Sequence, residues 1–188
     1  MPGLTREELD SYRNYPVPDL IGPGTMLLFV GINPGLWTAA TGTHFCHPSN
    51  RFYPALRVAG LIDWEVDTAV GLTEAQRRAF VEAGMGITNL VNRATARASE
   101  VGDDELTAGS SRLVDLVGGV KPRVVAVAGI TAYRIAFRRP RAGLGEQPET
   151  MAGSLLWVIP NPSGLNAHVT VSGMADWLQR TAAAAGIS

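Results

Sequence analysis

Three short stretches concentrate residue types able to handle a polar ligand: "GINPG" (31–35), "HFCH" (44–47) and "PNPSGLNAH" (160–168). In the first, Gly31 and Gly35 admit unusual backbone angles and close approach of a ligand, and Pro34 lacks an amide proton and stiffens the turn. Asn33 brings one acceptor and two donors, and is the one side chain of that turn able to orient a water molecule. In isolation the same five residues also describe an ordinary strand-end turn whose asparagine bonds its own backbone. His44, Cys46 and His47 are all metal-ligand types, but only the distant His168 remains to complete a site, which disfavours a metal. Phe45, between them, can stack on a planar ligand or fill the core. In the third stretch Asn161 can donate and accept at the edge of a heterocycle, and Ser163 and Gly164 offer backbone amides to an anion. Leu165 is an apolar side chain in a polar loop, either a wedge or a satellite of the core.

These groups need elements to position them. Three runs are apolar on both faces, "MLLFVGI" (26–32), "RVVAVAG" (123–129) and "LLWVIP" (155–160), as suits buried parallel strands; "GITNLVN" (86–92) is a candidate fourth. Helical patterns occupy 50–61, with Ser49 as the candidate cap, and 73–84, 103–119 and 172–186. A short helix near "TREELDSYR" opens the chain, and "RRPRAGLGEQPET" (138–150) reads as the one long polar loop. Helices alternating with apolar strands predict an α/β fold whose sheet is covered on both faces. In such a fold ligands sit beyond the carboxyl ends of the strands, where Gly31–Gly35, Gly129–Thr131 and Asn161–Asn166 all fall.

Length and composition narrow the function further. A chain of 188 residues, 46 % hydrophobic, predicts one domain, here 25–188, after an N-terminal extension over 1–24. No run approaches the eighteen or so apolar residues of a membrane span, and the start lacks the pattern of a secretory leader, so a cytoplasmic, membrane-free protein is expected. The single cysteine, Cys46, rules out an internal disulfide and a cysteine-built zinc or iron–sulfur centre. A net charge of −1 argues against tail-driven nucleic-acid binding but leaves room for a local basic face. Neither a P-loop lysine motif nor GxGxxG after the first strand is present, and no carboxylate lies in the strand-end loops.

Taken together, "GINPG", "HPSNRF", "GITNLVNR" and "NPSGL" resemble, in order and spacing, the mismatch-specific uracil-DNA glycosylases, the family that includes the thymine-DNA glycosylases. The resemblance runs from about Met26 to the C-terminal helix. It implies a three-layer α/β/α sandwich with a central four-stranded parallel sheet. It also implies that Asn33 positions the water attacking the sugar, that backbone groups of Ile32 and Gly35 help hold a flipped base, and that Phe45 stacks on it. Asn161 and Asn89 would then lie beside the base, while Ser163 meets phosphate and Gly164, Leu165 and Asn166 form a wedge entering the duplex. No cofactor or metal is implied, the partner is double-stranded DNA carrying G·U or related mismatches, and a monomer is expected. Thymine and other modified bases are further candidate substrates. The wedge here reads Gly-Leu-Asn-Ala instead of Gly-Leu-Ser-Arg, so the usual arginine is missing, and Trp37 is bulkier than the family pattern. Two other readings compete: a catalytically silent nucleobase- or nucleotide-binding module on the same fold, and a small-molecule enzyme whose "GINPG" turn binds phosphate.

Overall fold

The computed structural model describes residues 4–187. Five strands, β1 (Leu27–Gly31), β2 (Met85–Asn89), β3 (Val124–Ala128), β4 (Gly145–Met151) and β5 (Ser154–Ile159), form one sheet in the order β2-β1-β3-β5-β4. The first three and β5 run parallel; β4 pairs antiparallel to β5. Successive side chains of a strand face opposite sides, and here both sides are covered. Leu27, Phe29, Val124, Ala126, Trp157 and Ile159 enter one core with helices α3 (Phe52–Val58), α4 (Glu74–Glu82) and α7 (Val171–Ala185). Leu28, Val30, Val125, Val127, Leu156 and Val158 enter the other with α5 (Asp103–Val120) and α6 (Ile130–Ala136). Double burial, worth about 1.5–3 kcal/mol for each large apolar side chain, is why these strands read as unbroken apolar runs. The three-layer α/β/α sandwich and its four parallel strands are as expected.

The fifth strand was not expected, since 138–150 reads as loop. Its residues alternate weakly and include Pro148, which cannot donate to a ladder and is tolerated at a sheet edge. The hairpin to β5 turns through Ala152 and Gly153, at φ 47° and 91°. Two left-handed residues make the tight turn that twisted hairpins favour, but Ala replaces the usual Asn or Asp and hides the signal. The short helices α2 (Leu36–Thr41) and α6 also escape the sequence pattern. Ser49 does not cap α3: Asn50 Oδ1 accepts from the Phe52 amide instead, while Ser49 turns to His47.

From α1 (Arg6–Asp10) the chain reaches the outer edge of β2, where Leu20 and Ile87 exchange two backbone hydrogen bonds. Val17 is buried there, and the Asp19 carboxylate accepts from the Thr88 hydroxyl. Residues 17–20, within the segment read as an extension, thus cover an otherwise open edge.

Strand order places the reversal of chain direction between β1 and β3, since β1 connects to β2 on one side and β2 crosses back to β3 on the other. Ile32 and Gly129 face each other just beyond that point. The end of β2 is fixed by α5, whose Gly109 abuts the Leu90 backbone: a Cβ there would lie 2.3 Å from the carbonyl oxygen. Gly109→Ala is therefore expected to push α5 off β2 and cost about 1–3 kcal/mol, checked by urea unfolding; an unchanged midpoint would show that the contact relaxes without cost.

Candidate functional site

A cavity of about 660 Å³ opens at the carboxyl end of the sheet. Its wall brings together Ile32, Asn33 and Gly35, Phe45, Asn89, Asn161, Ser163, Leu165 and Asn166. Of the site residues named from sequence only Gly164 does not line it. No Asp or Glu is among the lining residues.

Asn33 Nδ2 lies 3.0 Å from each of the Pro34 and Arg93 carbonyls and 2.8 Å from Thr95 Oγ1, and its two N–H groups are shared among these three acceptors. Carbonyls only accept, so this fixes which end of the amide is nitrogen. The Thr95 hydroxyl spends its own proton on the Arg97 carbonyl at 2.7 Å and meets Asn33 with a lone pair. Asn33 Oδ1 is left without a partner among the described residues, and Asn33 lines the cavity. The Arg93 carbonyl is itself braced: the Arg93 guanidinium grips Glu105 with two hydrogen bonds and reaches the Glu100 carbonyl. That pairing holds the Glu105 carboxyl down to about 2. Asn33 thus does bond backbone, but in a hold that spans two loops.

A second relay orients Asn89. His44 Nε2 lies 2.9 Å from the Pro18 carbonyl and must carry the proton. Its Nδ1 is then an acceptor, 3.0 Å from Asn89 Nδ2. Asn89 Oδ1 is therefore turned toward Gly31, where an added Cβ would meet it at 2.3 Å and the Phe45 ring at 3.2 Å. Gly31 is the gap that lets these two groups sit together at the strand end. Phe45 holds a left-handed φ of 57°, which costs a non-glycine residue about 1–2 kcal/mol, and its ring lies 4.4 Å from that of Phe52 at 34°. Contact with the core aromatics offsets that strain. Burial keeps His44 neutral, outweighing nearby Asp19, and Arg77 acts in the same sense as burial.

The loop after β5 is also pre-arranged. Asn161 Oδ1 accepts from the Ser163 amide at 3.0 Å, so Nδ2 is the end of this side chain free to donate. Arg51 holds the loop through the carbonyls of Pro162 and Ser163, and Gly164 lies so close to Ser49 that a Cβ would stand 2.2 Å from its hydroxyl. Leu165 is 90 % exposed, the most exposed of the large apolar side chains described. It is not a satellite of the core. The amides of Ser163, Leu165 and Asn166 are spent within the loop, which leaves the Gly164 amide and the Ser163 hydroxyl proton for an anion. Asn166 folds back on the Asn161 carbonyl at 3.0 Å, so reaching outward would break that bond. His168 is exposed beyond it.

His44, Cys46 and His47 face three separate partners, namely Pro18 and Asn89, the Thr68 carbonyl, and Ser49. Among the described residues no three His, Cys, Asp or Glu side chains cluster as metal ligands. Trp37 donates to the Thr68 carbonyl at 2.6 Å and sets its ring edge-on to His47 on the cavity wall. The roles of Thr95, Arg93 and His44 escaped the sequence reading: Thr95 carries no spacing signal, Arg93 closes the "GITNLVNR" motif but was given no role, and His44 was weighed only as a metal ligand.

The model for the uracil DNA glycosylase superfamily matches residues 18–183. The chain belongs to the uracil DNA glycosylase superfamily. A solution NMR structure of a candidate uracil DNA glycosylase from Methanosarcina acetivorans is similar, with a TM-score of 0.57 at 17 % identity over 90 % of this chain and 98 % of that one. At that identity the likeness speaks to the fold. For this superfamily member, no helix among the described residues is long and apolar enough to cross a membrane.

Folding lowers the pKa of His44, so below about pH 6.5 the unfolded chain binds a proton that the folded one refuses. Stability from this source is complete above that pH and is lost as the pH falls. The urea midpoint of the native protein is expected to drop between about pH 7 and 5, and that of His44→Gln to drop less. Parallel curves for the two would remove His44 as the cause.

Proposed function

We propose that this superfamily member is a monofunctional DNA glycosylase that extrudes uracil from mismatched duplex DNA and hydrolyses its N-glycosidic bond with a water held by Asn33, leaving an abasic site. The orientation of Asn33 carries the reading. With Nδ2 locked on two carbonyls and a hydroxyl, the side chain has only Oδ1 left for the cavity, an acceptor for a hydrogen bond from one water O–H that turns the water's lone pair outward. An amide cannot take up a proton as a carboxylate does, so much of the roughly 10²–10⁴-fold that a positioned base contributes is forgone. Glycosidic cleavage builds cationic character on the sugar, which makes even an unactivated water a competent nucleophile. Slow turnover follows.

The fixed polarities around the cavity match uracil. Asn89 Oδ1 accepts from the base N3–H, and Asn161 Nδ2 donates to a base carbonyl, where negative charge gathers as the bond breaks. Cytosine offers a lone pair at N3 and would meet Asn89 Oδ1 with repulsion. Phe45 stacks on the ring. Extrusion costs a few kcal/mol, less for a mispaired base. Burying the exposed Leu165 in the vacated stack returns about 1.5–3 kcal/mol. The two terms are of one size, so the pairing of the target base decides the balance, and that supports a preference for mismatches. A silent nucleobase-binding module would need neither the outward Leu165 nor the three-way hold on Asn33.

Single-turnover excision on duplexes carrying G·U, A·U or G·T, and on single-stranded uracil DNA, tests the reading. G·U is expected to be cut well ahead of A·U. Asn33→Ala should lower the rate by about a hundredfold or more and Thr95→Val by about tenfold, both with DNA binding retained. Equal loss of binding and excision in Asn33→Ala would refute the water-holding role. Binding without excision by the native chain would favour the silent module.

A further inference from the structure

Arginines elsewhere in the chain are mostly engaged, in ion pairs, on carbonyls or, for Arg180, against the rings of Trp157 and Trp177. Arg6, Arg78 and Arg97 have no side-chain partner among the described residues, Arg97 lying on the cavity wall, and the loop between α6 and β4 holds two more such arginines close together in sequence. Arg134 clamps its base through two hydrogen bonds to the Ala142 carbonyl, and Arg139 pairs with Glu149 at 2.8 Å. Gln147 closes it by donating to the carbonyls of Gly143 and Gly145. Within this frame Arg138 stands at a left-handed φ of 53°, and the guanidinium groups of Arg138 and Arg141 have no partner among the described residues. Both residues are exposed.

The loop lies at the same end of the sheet as the cavity, because Gly145 pairs with Val158, just before the loop that carries Leu165. A concave surface joins them. The cavity at Asn33 shares Ile32, Asn161 and Asn166 with a neighbouring groove of about 590 Å³. That groove in turn shares Leu144 with the hollow around the arginine loop.

The geometry points to a second DNA contact: Arg138 and Arg141 receive backbone phosphates of the duplex several steps away from the extruded nucleotide. This rests on the reading of the cavity as a base pocket. A strand anchored there is a polymer, and the groove leads it toward the arginines. β4 stands three strands from β1, about 14 Å at the usual strand spacing, or about four base-pair steps. Arginine suits this task because its planar fork matches phosphate oxygens. Fixing the loop in advance lowers the ordering cost of each contact.

Binding of uracil-containing duplexes by native protein and by the double variant Arg138→Gln, Arg141→Gln decides the matter, with thermal unfolding as the check that both are folded. On a duplex of about 20 base pairs the variant should bind about tenfold more weakly, and its salt slope should be shallower by about two, near 0.9 for each phosphate lost. On a duplex trimmed to about two base pairs on one particular side of the uracil, the two proteins should bind alike. Unchanged affinity and slope on the long duplex, or equal weakening on duplexes trimmed on either side, would overturn the contact while native excision of uracil leaves the base pocket standing. A native chain that neither binds nor excises would overturn the pocket reading and the contact with it.

Discussion

An asparagine amide has two ends of opposite character, and the site depends on which end faces the cavity. For Asn33 the choice is made by two backbone carbonyls and a hydroxyl already committed elsewhere. The two carbonyls cannot reverse their role, so the side chain cannot flip without setting its oxygen against them and leaving these part-buried acceptors unmatched, at about 1–3 kcal/mol for each. The surrounding structure serves this arrangement. Arg93 and Glu105 hold the loop that supplies one carbonyl, and residues 93–97 lie against the turn at 33–35 through the Thr95 amide and the Pro34 carbonyl.

The same logic runs through Asn89 and Asn161. A proton on His44 Nε2, required by the Pro18 carbonyl, turns Asn89 Oδ1 inward, and the Ser163 amide turns Asn161 Nδ2 the other way. Three chemically identical side chains thereby present an acceptor, an acceptor and a donor. A polarity pattern of that kind is set without any carboxylate in the cavity wall. It does need backbone from distant parts of the chain, including Pro18, so the segment ahead of the first strand helps to set the polarity of the site.

Leu165 and Phe45 represent the opposite economy, apolar groups held where folding alone gains little from them. Leu165 stays in water because Arg51 and the tight contact of Gly164 with Ser49 fix the loop beneath it. Phe45 accepts an unfavourable backbone angle so that its ring closes the strand end beside Gly31. Departures of this sort from local preference tend to mark places where a structure is used.

By itself the sequence determined the layers of the fold, because strands buried on both faces must be apolar without interruption, and β1, β3 and β5 are. Its four motifs also determined which loops meet at the carboxyl end of the sheet and which superfamily they point to. β4 was hidden because an edge strand is held by backbone hydrogen bonds and needs no particular side chains, and because its turn uses Ala152 where a clearer residue was expected. Asn161 is turned by the Ser163 amide only two residues on, a local turn, whereas tertiary structure alone decided the direction of the Asn33 and Asn89 amides. Amide orientation follows from the partners on either side, and Thr95, Arg93, His44 and Pro18 lie tens of residues away in sequence from the asparagines they orient, at spacings that carry no periodic signal.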